Sequence, residues 1–260
     1  GMHGAMSKLG ASSPQLVGRV LVSFILLLCC WTLVVHWLVV FPGLLRRDVG
    51  MALLITGLHQ VVHGCLVMSL YKAVTTEPGF VPRGTRLAGG EAAARTCEIC
   101  CCDKDDRVHH CSICKRCVKR MDHHCHFVNN CVGYRNYKYF VLLLCYTSLG
   151  GFYNAWCAWE WMQWRSPPLP GLGTSFGDRQ LIVLTNAAVI ACVACIITPF
   201  AVIHLCLAGT NTTTLEALKG EGGLYNAGAA SNFRQSFGRD ALWWASPFHR
   251  GNEGDSAAAR

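Results

Sequence analysis

Four long apolar runs constrain the fold of this chain more than any other feature of its sequence. At ~1.5 Å of rise per residue, a helix over each run is long enough to cross a hydrocarbon core of ~30 Å. The pair Pro42-Gly43 predicts that the first helix ends there. We therefore expect an all-α polytopic membrane protein with four transmembrane helices. The runs extend from about Val20 to Phe41, Val49 to Tyr71, Tyr139 to Trp161 and Leu181 to Leu207.

A dense group of the 17 cysteines lies between Cys97 and Cys131, in the polar segment between the second and third runs. A disulfide framework suits small secreted domains, but the N-terminal residues lack the pattern of a cleavable secretory signal. Lysine and arginine also crowd this segment, within a formal net charge of +8, and positive charge beside membrane spans marks the cytosolic side. These features favour a small, cytosolic, zinc-bound cysteine-rich domain.

The cysteine spacing provides ligands for two tetrahedral metal sites. Two such sites need eight ligands, and two histidines would complete a set of six cysteines. Cys125 is then left over, within the stretch Asp122-His123-His124-Cys125. A spare thiol beside an imidazole is typical of an activated nucleophile. The six cysteines are Cys97, Cys100, Cys111, Cys114, Cys117 and Cys131.

The positions of His123 and Cys125 favour an extended backbone. Residues two apart do not face each other on a helix, but they share one face of a strand. One face then carries base and nucleophile, while the other presents His124 to a metal. Asp122 reaches His123 through a bend. The alternative is that all of these residues bind metal. The eight ligands of two sites can, however, be supplied without His123 and Cys125.

Residues 97–140 resemble the cysteine-rich domain of the DHHC family of protein S-acyltransferases, the palmitoyltransferases. The matching text is CEIC, then RVHHCSICKRCVKRMDHHC, then VNNCVGYRNYKYF. Further along, Thr213-Thr214-Leu215-Glu216 is similar to the family's TTxE motif. The segments Tyr225-Asn226-Ala227-Gly228 and Asn232-Phe233 resemble its C-terminal aromatic-asparagine motif. The resemblance extends in order from Glu77-Pro78-Gly79 to the C-terminal region.

The resemblance implies two structural zinc ions and covalent acyl transfer. Asp122 orients His123, which takes the thiol proton of Cys125. The thiolate attacks palmitoyl-CoA, and a cysteine of a substrate protein then takes the acyl group from the enzyme. The implied ligands are Cys97, Cys100, His110 and Cys117 for the first zinc, and Cys111, Cys114, His124 and Cys131 for the second.

Contacts to the acyl-CoA are expected from two further groups of residues. Lys115, Arg116, Lys119 and Arg120 offer positive charge for the phosphates of coenzyme A, although topology and attraction to lipid headgroups explain the same charges. Along the acyl chain, Phe127 provides an aromatic wall, and Gly150 and Gly151 leave room for a sixteen-carbon chain. Close helix packing is the alternative reason for the two glycines.

Two spans separate the N-terminal tail from the zinc domain, and two more separate that domain from the C-terminal region. Because each pair of spans returns the chain to the same side, we expect both termini and the zinc domain in the cytosol. The expected membrane is that of the Golgi, the endoplasmic reticulum or the cell surface. Expected partners are membrane lipid and cytosol-facing or membrane-associated proteins with a free cysteine; nucleic acid is not expected, and oligomerisation is open. The predicted divisions are a tail over 1–16, two transmembrane helices over 17–73, the zinc domain over 74–137, two transmembrane helices over 138–208, and a C-terminal region over 209–260.

Two other functions stay open, the first because of a departure from the family and the second because of a run of three cysteines. The nucleophile is followed by His126-Phe127, where the family usually has Pro-Trp. A catalytically weak zinc-containing scaffold that recruits partner proteins would tolerate Cys125→Ser. A redox or metal-transfer protein built on Cys100-Cys101-Cys102 would hold labile zinc and would not be acylated. The intact Asp-His-Cys set favours the enzyme over both.

Overall fold

The structure is a computed structural model that describes residues 13–86, 95–163 and 175–249. It divides into two compact units. One unit contains Ser69–Val141, together with the chain before Phe24 and from His204 onward. The other contains Phe24–Met68 and Leu142–Ile203. Most of the predicted tail over 1–16 lies outside the described residues.

Among the described residues, four helices are long and apolar enough to span a membrane, as the apolar runs predict. The first span covers Pro14–Leu45 and continues through Pro42-Gly43, where the sequence predicted its end. Proline has no backbone N–H, but in the first turn of a helical segment that N–H would have no partner within the segment. The helix therefore continues through Pro42. The first span consists of α1 (Ser13–Val35), a π-helical turn (His36–Val40) and α2 (Phe41–Leu45). The other spans are α3 (Val49–Thr75), α4 (Tyr137–Met162) and α5 (Phe176–Gly209).

The second unit has a packed interior and an apolar exterior. Trp161 is buried and donates its indole N–H to the carbonyl of Val39 at 3.2 Å. Arg47 pairs with Glu160 at 2.9 Å, which joins the loop after the first span to the end of α4. Many leucines, valines and phenylalanines on the same helices are exposed. Such an exterior fits a multi-pass membrane protein, because lipid covers apolar side chains at no cost.

The cysteine-rich segment forms three short antiparallel hairpins instead of helices. The protein is therefore mostly helical but not all-α, since metal-ligand spacing favours tight turns over continuous helix. Within the second hairpin His110 faces Cys117, and within the third His124 faces Cys131. The strands are β1 (Arg95–Cys97) with β2 (Cys102–Lys104), β3 (His109–Cys111) with β4 (Arg116–Val118), and β5 (His123–Cys125) with β6 (Asn130–Val132).

The C-terminal part of the first unit carries two short helices, α6 (Thr214–Leu218) and α7 (Ala229–Phe237). Thr213 and Glu216 form a capping box at the start of α6. The side chain of each accepts a hydrogen bond from the backbone of the other, so the TTxE text has a local structural role. This capping box fixes the start of α6, and with it the orientation of Thr214.

Candidate active site and two metal-capable clusters

Two clusters of three cysteines and one histidine form within the hairpins, and in each the four donor atoms lie within 4.8 Å of one another. The first cluster combines Cys97 and Cys100 of the first hairpin with the facing pair His110 and Cys117 of the second. His110 Nδ1 lies 3.5 Å from Cys97 Sγ, 3.4 Å from Cys100 Sγ and 3.8 Å from Cys117 Sγ.

The second cluster repeats this arrangement one hairpin further along. Cys111 and Cys114 belong to the second hairpin, and the facing pair His124 and Cys131 belongs to the third. His124 Nδ1 lies 3.6 Å from Cys111 Sγ, 3.4 Å from Cys114 Sγ and 3.5 Å from Cys131 Sγ. Each cluster thus joins one hairpin to the next.

These distances are those of donor atoms around a tetrahedral metal. With a Zn–S bond of ~2.3 Å and a Zn–N bond of ~2.1 Å, tetrahedral angles place nitrogen and sulfur ~3.6 Å apart. The observed separations of 3.4–3.8 Å fit that geometry. Three thiolates with one imidazole form a donor set suited to zinc. Both clusters are therefore capable of binding a metal ion, and they use the eight residues named from the sequence.

The Asp122-His123-Cys125 set lies on the strand that also supplies His124. The extended backbone of β5 places His123 and Cys125 on one face. Asp122 is completely buried, and its Oδ2 lies 2.7 Å from His123 Nδ1. Neither His123 nor Cys125 belongs to a metal-capable cluster within the described ranges. The structure therefore keeps a carboxylate, an imidazole and a thiol together, apart from the eight donor atoms.

Thr214 holds the Asp122 carboxylate in place from the start of α6. Its backbone N–H donates to Asp122 Oδ1 at 2.9 Å, and its hydroxyl donates to Asp122 Oδ2 at 2.7 Å. Hydrogen bonds to an ionised acceptor are short and strong. The sequence indicated Thr214 only as part of the TTxE resemblance, and no spacing rule relates it to a residue ninety positions earlier.

The electrostatics of the set favour a thiolate beside an imidazolium. Burial opposes ionisation of Asp122, but the hydrogen bond and charge of His123 hold the pKa of Asp122 below its ordinary value. Burial also disfavours a charged His123, yet its hydrogen bonds to Asp122 and Cys125 raise the pKa of His123 to about 9. For Cys125, burial is outweighed by His123 and by the N–H groups of Val128 and Phe127, so its thiol pKa is lowered.

Arg107 ties the region around the TTxE motif to the hairpins. Its guanidinium donates to both oxygens of Glu216, at 2.7 and 3.0 Å, and to the side chain of Asn211 at 3.0 Å. It also lies over the ring of Tyr225, 4.3 Å from the centroid. Glu216 in turn closes the capping box of α6, so this network supports the helix that positions Thr214.

Aromatic rings surround the far side of His123. Phe140 meets the His123 ring edge to face at 5.1 Å, and His204 lies 5.9 Å from the same ring. The hydroxyl of Tyr137 lies 3.3 Å from His204 Nδ1. Sequence reasoning missed His204, whose only signal is a histidine inside an apolar run. The rings restrict His123 to one orientation, with its other nitrogen available to Cys125.

The cations expected near coenzyme A have different surroundings. Lys115 is exposed in the turn between β3 and β4, and Arg116 lies over the Phe80 ring at 4.2 Å. Arg120 donates to the hydroxyl of Ser236 at 3.1 Å, and burial lowers its pKa to about 10. Lys119 is half-buried. No contact within the described residues joins these four side chains, so their role toward phosphate stays a prediction.

The residues expected along the acyl chain also differ from one another. Phe127 is 60% exposed, in the loop after Cys125. A Cβ at Gly150 would meet Val62 at an ordinary 3.5 Å. A Cβ at Gly151 would lie only 2.4 Å from the Ala194 Cβ, so this glycine allows α4 and α5 to approach closely. Helix packing is thus sufficient to explain Gly151, and Gly150 stays the sharper candidate for an acyl contact.

Comparison of the sequence with known proteins identifies the family of the chain. Residues 91–221 match the family model described as DHHC palmitoyltransferase. The chain is 33% identical over 242 residues to the probable protein S-acyltransferase 12 of Arabidopsis thaliana, covering 83% of this chain and 81% of that protein. It is 32% identical over 250 residues to the palmitoyltransferase ZDHHC3 of Rattus norvegicus, covering 86% and 80%. The chain belongs to the DHHC palmitoyltransferase family.

Proposed function

We propose that this chain transfers a long-chain acyl group, mainly palmitoyl, from acyl-CoA to protein cysteines through an acyl-enzyme on Cys125. The observation that carries the proposal is the separation of roles along one strand. In β5, His124 completes a metal-capable cluster, while His123 and Cys125 lie with Asp122 outside it. A thiol that is not needed for metal, with a lowered pKa, is a nucleophile.

In the first half-reaction, the Cys125 thiolate attacks the carbonyl carbon of the acyl-CoA thioester. The bond between that carbon and the sulfur of coenzyme A breaks, and the His123 imidazolium donates its proton to the departing thiolate. The products are an acyl-enzyme, free coenzyme A and a neutral imidazole. Asp122 keeps the proton-bearing nitrogen of His123 oriented throughout, because its own position is fixed by Thr214.

In the second half-reaction, neutral His123 takes the proton from a cysteine thiol of the substrate protein. The resulting thiolate attacks the acyl carbon on Cys125, and the Cys125 thiolate leaves. This restores the starting pair of thiolate and imidazolium. One thioester replaces another in both steps, so positioning contributes more than driving force. The two half-reactions predict ping-pong kinetics.

Two structural zinc ions are proposed for the two clusters. Each cluster offers four protein donors, and a site closed by four protein ligands is structural. A bound zinc supplies a cross-link between successive hairpins and a large part of the folding free energy of so small a domain, ~10 kcal/mol or more per site. The triad performs the acyl transfer without a metal-bound group.

The finer contacts and the membrane setting are also proposed. Lys115, Arg116, Lys119 and Arg120 receive the phosphates of coenzyme A, and the acyl chain contacts Phe127 and Gly150, which precedes Gly151 in α4. The hairpins and both termini face the cytosol, in the membrane of the Golgi, the endoplasmic reticulum or the cell surface. Support comes from the positive charge of the hairpin segment and from the even number of spans.

The direct test is labelling of the purified full chain with an alkyne analogue of palmitoyl-CoA. Wild type should carry a label that hydroxylamine removes, and Cys125→Ser should carry none. Cys101→Ser is the matched control, because Cys101 is an exposed cysteine outside both clusters. A label that survives Cys125→Ser in full and disappears in Cys101→Ser would place the nucleophile elsewhere.

Chain length provides a separate test of Gly150. Gly150→Phe should shift the preference from sixteen-carbon to fourteen-carbon acyl-CoA, since a large ring fills space that the chain end would use. Gly151→Ala is the packing control, because its added methyl group meets Ala194 instead. An unchanged profile in a well-folded Gly150→Phe protein would leave helix packing as the role of this glycine.

A further inference from the structure

The loop that follows the nucleophile packs against the start of the first helix. A Cβ placed on Gly18 of α1 would lie 2.2 Å from Asn129 Oδ1, 2.6 Å from Asn129 Cγ and 2.9 Å from Asn129 Cβ. All three distances are shorter than a van der Waals contact between heavy atoms, ~3.5 Å. Position 18 therefore admits no side chain while Asn129 keeps its place.

Rotation of the Asn129 side chain would move its Oδ1 and Cγ away but would leave its Cβ in place, 2.9 Å from the added atom. The loop or the start of α1 would therefore have to move by a few tenths of an ångström to free the space. Asn129 adopts φ = +48°, a left-handed conformation that asparagine tolerates better than most residues, and its N–H donates to the carbonyl of His126 at 3.2 Å. The loop is a tight turn with little freedom to move.

The other end of this loop is fixed to the second span. Asn130 faces Cys125 across the β5–β6 hairpin. Its side-chain amide donates to three carbonyls at the end of α3, those of Ala73, Val74 and Thr76, at 3.1, 3.2 and 2.9 Å. The hairpin that carries the nucleophile is thus held to α3 by Asn130 and to α1 by Asn129.

The loop bears directly on the reacting sulfur. It connects Cys125 to the partner strand β6, where Asn130 directly follows Asn129 and faces Cys125. A reacting group must be held within about 0.5 Å of its productive position, because proximity and orientation are otherwise lost. A displacement of the loop by a few tenths of an ångström at Asn129 therefore changes the environment of Cys125.

We infer that Gly18 is a positioning residue for the nucleophile: by lacking a side chain, it lets α1 seat the 126–129 loop so that Cys125 is held ready for acylation. The inference rests on the proposed role of Cys125. It also gives α1 a part in the acyl-transfer site, although none of the sequence motifs of the site lies in that helix.

The test compares rates of acyl-enzyme formation in the full chain, with alkyne palmitoyl-CoA as the probe. Gly18→Ala should lower the rate at least about tenfold, whereas Gly64→Ala, where an added Cβ meets nothing within 4 Å, should keep the wild-type rate. Asn129→Gly removes the opposing side chain and suits the positive φ. The double variant Gly18→Ala with Asn129→Gly should recover most of the lost rate, which a general loss of helix packing would not allow.

Metal content and thermal unfolding are measured on the same samples: the metal content should match wild type, and the unfolding temperature of Gly18→Ala should fall and be recovered in the double variant. If Gly18→Ala does not accumulate, Asn129→Gln tests the contact from the other side by adding a methylene group, and it should lower the rate in the same way. A wild-type rate in either enlarged variant, or no recovery in the double variant, would overturn the inference. Absence of label on wild-type Cys125 would overturn the proposed function instead.

Discussion

The second and third hairpins begin with the same tripeptide and differ in chemistry. Strand β3 reads His109-His110-Cys111, and strand β5 reads His123-His124-Cys125. In both, the central histidine faces a cysteine on the partner strand and joins a metal-capable cluster. The backbone and the pairing register therefore do not distinguish Cys125, the proposed nucleophile, from Cys111.

The first difference concerns the residue before each tripeptide. Val108 precedes His109, and burial together with the nearby positive charges of Lys219 and Arg95 lowers the pKa of His109. Asp122 precedes His123, and the pKa of that histidine is raised to about 9. The carboxylate of Asp122, together with Cys125, thus raises the pKa of His123, whereas nearby positive charges add to burial in lowering the pKa of His109.

The second difference concerns the residue three positions after each cysteine. Cys111 is followed by Cys114, and the two thiols form one side of a cluster. Cys125 is followed by Val128, which is fully buried. Without a second thiol in its turn, Cys125 has no partner with which to hold a metal, and its sulfur stays free to react.

The largest expected effect comes from the matched pair Cys111→Ser and Cys125→Ser. Cys125→Ser should retain two metal ions per chain and lose acyl-enzyme formation by ~100-fold or more. Cys111→Ser should lose one of the two metal ions and unfold at a lower temperature, since metal binding contributes to folding. Elemental analysis measures the metal content, an acylation assay the rate, and thermal unfolding the stability of both variants. Loss of metal from Cys125→Ser would show that Cys125, like Cys111, is a metal ligand.

The next effect concerns the first histidine of each tripeptide. His123→Ala should keep both metal ions and lower the acylation rate by ~10²–10⁴-fold, the range that a general acid or base contributes. His109→Ala should also keep both metal ions, with a smaller loss of rate, because His109 has no carboxylate partner of this kind. Equal losses in the two variants would show that the Asp122–His123 pair has no special role.

A smaller loss is expected from Thr214→Val. This change removes the hydroxyl that donates to Asp122 at 2.7 Å and leaves the backbone N–H at 2.9 Å in place. Loss of a hydrogen bond to a charged group, worth ~1.5 kcal/mol, corresponds to a rate about tenfold lower. Thr75→Val is the control, because the Thr75 hydroxyl donates to the carbonyl of Tyr71 within its own helix. A wild-type rate in Thr214→Val would mean that the N–H alone holds Asp122.

The smallest effect is expected from making the third hairpin more like the second. Val128→Cys places a thiol three residues after Cys125, as Cys114 follows Cys111. Two thiols without the other two ligands bind zinc only weakly. Added zinc should therefore slow acylation of Val128→Cys by several-fold, a chelator should reverse this, and wild type should be less sensitive. Equal sensitivity of the two proteins would show that the missing thiol is not what keeps Cys125 free.

The spans and the clusters are predictable from sequence because their signals are local. Each apolar run extends over a whole helix, and the cysteine spacing reflects the short turns that bring ligands together. The hairpins were harder to predict from the sequence, since strands of three residues are too short to show a periodic pattern. The helix end predicted at Pro42 was wrong because Pro42 lies in the first turn of α2. A proline at that position lacks only an N–H that would have no partner within the segment.

The rest of the site depends on contacts between residues that are far apart in the chain. Thr214 reaches Asp122, and Asn129 meets Gly18, in both cases across about a hundred positions. A threonine in a capping box and a glycine in an apolar helix each have an adequate local explanation. Their contribution to the site becomes visible only when the fold brings their partners to them.

The interleaving of the two clusters has a consequence for synthesis of the chain. The first cluster is completed only when Cys117 has left the ribosome, and the second only when Cys131 has, after Cys125 has already appeared. Cys125, the proposed nucleophile, therefore emerges before the strand that carries it is secured. With zinc in both clusters, as proposed, capture of the first ion by the earlier cluster would secure the hairpin that precedes Cys125 before the second cluster is complete.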